Sequence, residues 1–392
     1  MLAREPFWFF FDRLCKAAVN VLVVYVAYVA LSDDSYYQFI SLLTYYYLMY
    51  AISTLGLDSR VYSHVEKNRI QRSIVNSYLF YRVCVSGVCG IGYVLFCYLL
   101  LGVVDFYLIC MFVVVNIVRV FDIYEFLLIG CGKKIEYSKI GVTFTLIFSV
   151  LKVGAAMKDE VSILVSIYLI EAVSLVIAYK VLVSRSGIIV AGANKVICSA
   201  GDVFRLFANS ALGLGVSRFD QIYMAPILSK ELFVAYLTVV RFYEPVLTFF
   251  QVASTYFVSS KLILREGCGG AVVALFLVVS IIHAVLFIVL GEVFFLEAIF
   301  ELGVGTVLLL SCLYCLNGIR VLSGKLLVYR SLMDVLLVRA LVGAGVLLLF
   351  TFAYSGTQIE VMICGICLAI ASMNAISYYK MSGRYEKGCI VK

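Results

Sequence analysis

The sequence predicts an all-α polytopic membrane protein of about twelve transmembrane helices in two six-helix bundles, with both termini cytoplasmic. Three observations support that reading. Of 392 residues, 64% are hydrophobic and only 14% charged, where a soluble domain carries roughly 45–50% apolar and about 25% charged residues. Apolar windows of about 20 residues, the length a helix needs to cross a hydrocarbon core of roughly 30 Å, recur along the whole chain. Basic residues fall almost wholly in alternate connections between those windows, the pattern of cytoplasmic loops. Three prolines in the chain exclude a linker-rich or low-complexity protein.

In order, the windows run over residues 13–31, 36–57, 77–102, 104–130, 140–157 and 161–183, then 204–228, 232–258, 271–291, 303–321, 335–354 and 358–379. Arg13 and Lys16 at the start of the first window, followed by an apolar run and Ala30-Leu31-Ser32, imitate a secretory signal and its cleavage site. The cluster Phe7-Trp8-Phe9-Phe10-Phe11 is foreign to such a signal and suits an interfacial anchor. The first segment is therefore read as an uncleaved helix. The tenth window, Gly303–Val321, is short, and Arg339 stands near the start of the eleventh.

Orientation follows from the connections. With the N-terminus inside, the inner loops hold Arg60, Lys67, Arg69, Arg72, Lys133, Lys134, Lys139, Arg185, Lys195, Arg205, Lys261, Arg265, Arg320, Lys325 and Arg330. The two ends add Arg4, Arg13, Lys16, Lys380, Arg384, Lys387 and Lys392. The outer loops hold only Lys158 and Lys230 among basic residues, but ten acids: Asp33, Asp34, Asp105, Asp159, Glu160, Glu231, Glu292, Glu297, Glu301 and Glu360. This asymmetry places both termini in the cytoplasm. It also accounts for the net charge of +7 without a nucleic-acid partner.

The longest polar connections, about residues 58–76 and 184–203, are both inner ones. The second divides the chain into an N-terminal six-helix bundle (1–183), a cytoplasmic connecting loop (184–203) and a C-terminal six-helix bundle with a short cytoplasmic tail (204–392). Paired bundles are a transporter plan, with the substrate site at the repeat interface near the bilayer midplane. The short outer connections disfavour an enzyme built on a large extracytoplasmic loop. The 13 cysteines lie almost all in apolar runs. Cys312/Cys315 and Cys364/Cys367 have C-x-x-C spacing but no His or acidic neighbour in sequence, so they read as small packing hydrophobes rather than metal ligands.

Ionisable residues inside a span are costly and mark a cavity or a partner. Arg82, Lys180 and Arg339 lie within two turns of an inner end and read as snorkelling side chains. Arg119, Lys152, Arg218 and Arg241 are deeper, as are Asp122, Glu125, Glu171, Asp220 and Glu244. Arg119, Asp122 and Glu125 share a helix face, which puts Asp122 within reach of Arg119, and Arg241 and Glu244 are likewise three apart. Arg218 and Asp220 point to different sides, so at least one needs a partner on another helix. Glu171 is either a proton- or sodium-responsive carboxylate or the partner of Lys152. The acids serve ion coupling or structural pairing, and the cations either hold the bundle together or line a cavity suited to an anion. Pro245, directly after Glu244, interrupts the hydrogen-bond ladder of helix eight.

Tyr45-Tyr46-Tyr47 and Tyr50 in helix two offer flat apolar faces with hydroxyls, suited to a lipid boundary or to a sugar. No P-loop, HExxH, GxSxG or Rossmann fingerprint is present. Neither catalytic residues nor a metal or cofactor is expected.

The stretch Ser217-Arg218-Phe219-Asp220-Gln221-Ile222, followed by Leu228-Ser229-Lys230-Glu231 and Val234-Ala235-Tyr236, resembles bacterial O-antigen and polysaccharide-repeat flippases. These form the polysaccharide transporter family of the multidrug/oligosaccharidyl-lipid/polysaccharide exporter superfamily. Arg241-Phe242-Tyr243-Glu244-Pro245 and Tyr256-Phe257 are similar to that family's next segment, and Leu55-Gly56-Leu57-Asp58 is a weaker likeness. Ala235 stands where the family usually has Gly. The resemblance implies two bundles that rock around a central cavity and move an undecaprenyl-diphosphate-linked oligosaccharide across the bacterial inner membrane. It implies Arg218 and Arg241, then Arg119 and Lys152, as the diphosphate and sugar ligands, since Arg grips a diphosphate bidentately. Asp220, Glu171 or Glu244 would titrate with an ion gradient. Membrane lipids and other polysaccharide assembly proteins are the further partners implied. Two other readings remain: a polymerase acting on the same lipid-linked units, and a cation-coupled multidrug exporter.

Overall fold

A computed structural model describes residues 4–54, 61, 65, 69–100, 105–190, 200–225, 227–259, 272–283, 285, 296–329, 332–353 and 358–385. The elements are α1 (Arg4–Ala30), α2 (Asp33–Ser53), β1 (Ile70–Gln71), α3 (Arg72–Leu100), α4 (Phe106–Arg119), a 3-10 turn (Val120–Asp122), α5 (Ile123–Gly130), α6 (Lys134–Ala156) and α7 (Val161–Arg185). There follow β2 (Ile189–Val190), α8 (Ala200–Ser217), α9 (Phe219–Met224), α10 (Lys230–Ser259), α11 (Val272–His283), α12 (Leu296–Tyr329), α13 (Met333–Ala353) and α14 (Ile359–Tyr385). Each of the twelve apolar windows contains described helical residues. Among the described residues, nine helices are long and apolar enough to cross a membrane. Leu55-Gly56-Leu57-Asp58, Arg60, Lys67, Lys195, Lys261, Arg265, Glu292, Arg330, Lys387 and Lys392 lie outside the described residues.

The polarity of the helices is that of a multi-pass membrane protein. On α3, Val88, Ile91, Leu95 and Tyr98 are all exposed and recur at the three- and four-residue spacing of one helix face. Arg82, Ser86, Tyr93 and Cys97 occupy the opposite face and are buried. A helix that turns its apolar stripe outward and its arginine inward is stable only where the surroundings are hydrocarbon. Phe352 and Leu349 on α13 and Val150 on α6 are similarly exposed.

Two compact units are formed, residues 1–199 with 229–249 and residues 200–228 with 250–392. In the first, α1 packs along α6, α6 on α7, α7 on α4, and α2 on α3 and α4. The α1–α6 approach is close because Gly141 has no side chain: a Cβ there would run into Asp12, with Lys16 Nζ 3.0 Å away. Asp105 starts α4 by accepting from the backbone N–H groups of Tyr107 and Leu108 at 3.0 and 3.2 Å, which satisfies orphan donors of the first turn. β1 and β2 form a two-residue parallel pair. In the second unit α13 packs on α14 and α8, and α12 on α14.

Three local expectations need correction. The seventh span is not one helix: Arg218, at φ −129° and ψ 16°, separates α8 from α9. The tenth span runs on to Tyr329, so Arg320 and Lys325, assigned to an inner loop by sequence, are helical. Its start is broken instead at Gly303, whose φ of 79° is a conformation that residues with a Cβ rarely adopt. Finally, Arg82 and Arg339 do not snorkel; each is 1% exposed.

Candidate functional site

In the first unit, α2, α4, α6, α7 and α10 bring the deep charges together around tyrosine rings. Lys152 Nζ lies 2.5 Å from Glu171 Oε2, and the same ammonium stands 3.8 Å from the centre of the Tyr168 ring. The helix geometry explains how they meet. Side chains tilt toward the helix N-terminus, so Lys152, near the end of α6, leans away from the turn at 157–160. Glu171, ten residues into α7, leans back toward that turn. The Lys152 partnership, one of two alternatives for Glu171, is therefore the one formed.

The expected pairing of Arg119 with Asp122 is not formed among the described residues. The chain tightens into a 3-10 turn over Val120–Asp122, and the Arg119 guanidinium lies 5.3 Å from the centre of the Tyr50 ring. The Tyr50 hydroxyl donates to Asp122 Oδ2 at 2.6 Å. One tyrosine thus serves both ions, its π face toward the cation and its hydroxyl toward the anion. Glu125 turns instead to Arg13 of α1. Arg82 Nη2 donates to the Arg119 carbonyl at 3.0 Å, and Asn116 links α2 to α3 by accepting from Ser53 and donating to Ser86.

Arg241 does pair with Glu244, Nη1 to Oε1 at 2.6 Å, and lies 5.0 Å from the centre of the Tyr47 ring. It is 4% exposed. Its Nε and Nη2 are buried with no hydrogen-bond partner among the described residues. Eleven residues into α10, it stands about 17 Å from the helix start, near the depth of a bilayer midplane. Pro245 supplies no N–H to the carbonyl four residues earlier, which is that of Arg241 itself. Tyr47 lies within the fields of Arg119, Arg241, Glu171 and Glu244 together, so these charges form one cluster.

In the second unit, Arg218 at the α8–α9 break donates from Nη1 to the Tyr314 hydroxyl on α12 at 3.0 Å. The partner on another helix that the Arg218–Asp220 spacing called for is Tyr314. Asp220 is buried in α9. The sequence did not single out Arg320 as a buried charge, because the span was ended at Val321. A register that let the apolar run continue through Leu322 and Leu326-Leu327-Val328 would have placed it within the helix.

No protein-family model matches the sequence, and no curated protein is significantly similar to it. Solved structures do resemble it. A MATE transporter in complex with MaL6 aligns with a TM-score of 0.66 and 12% identity over 97% of both chains. A MOP superfamily transporter from Pyrococcus furiosus, described as having a binding pocket of reversed polarity, aligns with a TM-score of 0.67 and 12% identity over 97% of this chain and 95% of that one. A eukaryotic MATE transporter aligns with a TM-score of 0.60 and 12% identity over 97% of this chain and 95% of that one. The chain therefore has the twelve-helix MATE transporter fold and is an all-α, multi-pass membrane protein.

Proposed function

We propose that this protein is a transporter that moves an anionic, lipid-linked oligosaccharide across the bacterial inner membrane by alternating access. Arg241 is the observation that carries the reading. A guanidinium buried near mid-span, with one nitrogen on Glu244 and two without acceptors among the described residues, is a fork held open for an anion. A diphosphate matches that fork better than a cationic drug does, because paired oxygens take parallel N–H bonds. The tyrosines of α2 beside it suit a sugar. In this reading Arg218, Arg241, Arg119 and Lys152 face the substrate or hold those that do. Asp220, Glu244, Glu171, Asp122 and Glu125 balance their charge or respond to an ion gradient.

A cation-coupled multidrug exporter is the second reading, favoured by the number of MATE transporters that share the fold. The fold alone does not choose the sign of the cargo, since the Pyrococcus furiosus neighbour is described with reversed pocket polarity. Against a cationic cargo, Glu171, Glu244, Asp122 and Glu125 each already hold a donor. The sidedness of lipid-linked repeat units in a deletion strain tests the proposal. Units trapped in the inner leaflet support a flippase. Single units that reach the outer face but stay unpolymerised overturn it in favour of a polymerase, and normal surface polysaccharide overturns it altogether.

A further inference from the structure

We propose that Arg320 and Arg339 form an anion-binding site inside the second unit, one that takes a phosphate-class oxyanion. The site is independent of the transport reading. Arg320 on α12 is 7% exposed and Arg339 on α13 is 1% exposed, and the Arg339 guanidinium reaches the Arg320 backbone carbonyl at 3.4 Å. Burying one guanidinium without a counter-ion is costly, and burying two side by side is more so. No described carboxylate meets either of them. Arg320 Nε donates to Asn317 Oδ1 at 2.7 Å. Arg339 Nη1 donates to Ser323 Oγ at 2.9 Å, Ser377 Oγ at 3.2 Å and the Arg320 carbonyl at 3.4 Å, and its Nε to Asn209 Oδ1 at 3.4 Å. All of these acceptors are neutral. Neither Nη group of Arg320 nor Nη2 of Arg339 donates to a described residue, so these donors are open to a ligand or to water.

The surrounding backbone is shaped to hold the guanidiniums rather than to displace them. A Cβ on Gly213 of α8 would meet Arg320 Nη1, and a Cβ on Gly324 of α12 would meet Arg339 Nη2. Glycine at both positions is what lets each guanidinium come up against the backbone of a neighbouring helix. Two acids of the second unit are engaged elsewhere: Glu360 accepts from Thr306 and Asp334 pairs with Arg205. Asp220 is buried in α9. Arg218 adds a third positive field on Arg320. Two buried guanidiniums that meet only neutral acceptors among the described residues select an oxyanion over a cation or a neutral ligand.

The full-length protein, purified in an uncharged detergent, would be titrated with inorganic phosphate against gluconate at constant ionic strength, following thermal unfolding. Saturable stabilisation by phosphate is expected, weakened at least tenfold in Arg320→Gln and in Arg339→Gln and unchanged in Lys158→Gln, a substitution of an exposed cation outside both sites. Without phosphate, Arg320→Gln should unfold at a higher temperature than the wild type, because it removes one of two repelling buried charges. That reversal distinguishes a ligand site from a structural pair. Repeating the titration in nanodiscs with and without phosphatidic acid separates the sources: loss of the phosphate effect in the anionic discs identifies a lipid headgroup, and its persistence identifies a free anion. Absence of saturable stabilisation in either setting, or equal stabilisation of wild type and both glutamine variants, would overturn the proposal. So would an Arg320→Gln protein that is less stable with and without phosphate alike.

Discussion

Lys152 Nζ and Glu171 Oε2 are 2.5 Å apart, with the ammonium also 3.8 Å from the centre of the Tyr168 ring. Both side chains are buried, so each ion depends on the other. Removing one partner leaves a buried, unpaired charge, an effect of about 3–5 kcal/mol. Lys152→Met or Glu171→Leu alone should lower the unfolding midpoint sharply, whereas the double variant should lie close to the wild type. A double-mutant cycle on thermal unfolding in detergent reads this directly, and additive losses would show that the pair is not coupled.

Arg241 makes a different demand. Its stem, ring contact with Tyr47 and bond to Glu244 hold it in place, while Nε and Nη2 have no acceptor. If those donors bind an anionic cargo, each charge-assisted bond lost is worth about 1.5–3 kcal/mol. Arg241→Gln should slow translocation of lipid-linked units by tenfold or more at normal expression. Arg241→Lys keeps the charge but not the fork and should fall between the two. A protease- or lectin-accessibility assay on the outer leaflet of proteoliposomes measures the rate. Wild-type rates in both variants would remove Arg241 from the transport path.

Tyr50 joins Arg119 to Asp122 through two different parts of one side chain. Tyr50→Phe keeps the ring under the guanidinium and removes only the hydroxyl, leaving a buried carboxylate short of a donor. A loss of about 1–3 kcal/mol is expected. Tyr50→Ala removes the ring as well and should cost more, because a large buried aromatic leaves a cavity. The order wild type, Phe, Ala in unfolding midpoint is the outcome to look for. Equal loss for Phe and Ala would mean that the ring contact contributes nothing.

Helix count, and the positions of most spans, were legible because they depend on a one-dimensional quantity, the run of apolar residues. The Arg241–Glu244 pair was legible for a similar reason, since three-residue spacing sets neighbours on a regular helix. The same rule failed at Arg119 and Asp122, where the helix is not regular. A 3-10 turn over Val120–Asp122 changes the geometry, and nothing in Val120-Phe121 announces it. Arg82 and Arg339 were misread because depth along a helix does not say which face a residue occupies. Their burial follows from lateral packing: Arg82 onto the Arg119 carbonyl, and Arg339 onto Ser323 and Ser377 from other helices. Partners distant in sequence, such as Arg13 for Glu125 and Tyr314 for Arg218, left no local trace.

Two glycines of α6 should respond in opposite directions to the same substitution. Replacing a helix-interior glycine by alanine ordinarily stabilises by about 0.8–1.0 kcal/mol, through reduced backbone freedom in the unfolded chain. At Gly154 a Cβ would have nothing within 4 Å, so Gly154→Ala should raise the unfolding midpoint. At Gly141 the Cβ would run into the Asp12 carboxylate of α1, with Asp12 Cγ and Lys16 Nζ each 3.0 Å away. Asp12 is fully buried and bonded to Lys16 at 3.0 Å, so it has little room to yield. Gly141→Ala should therefore push α1 off α6, lower the midpoint and weaken the Arg13–Glu125 contact that α1 carries. Because helix and substitution are the same, the difference between the two variants isolates the α1–α6 approach from helix propensity. Midpoints that rise together would show that α1 accommodates the extra methyl group.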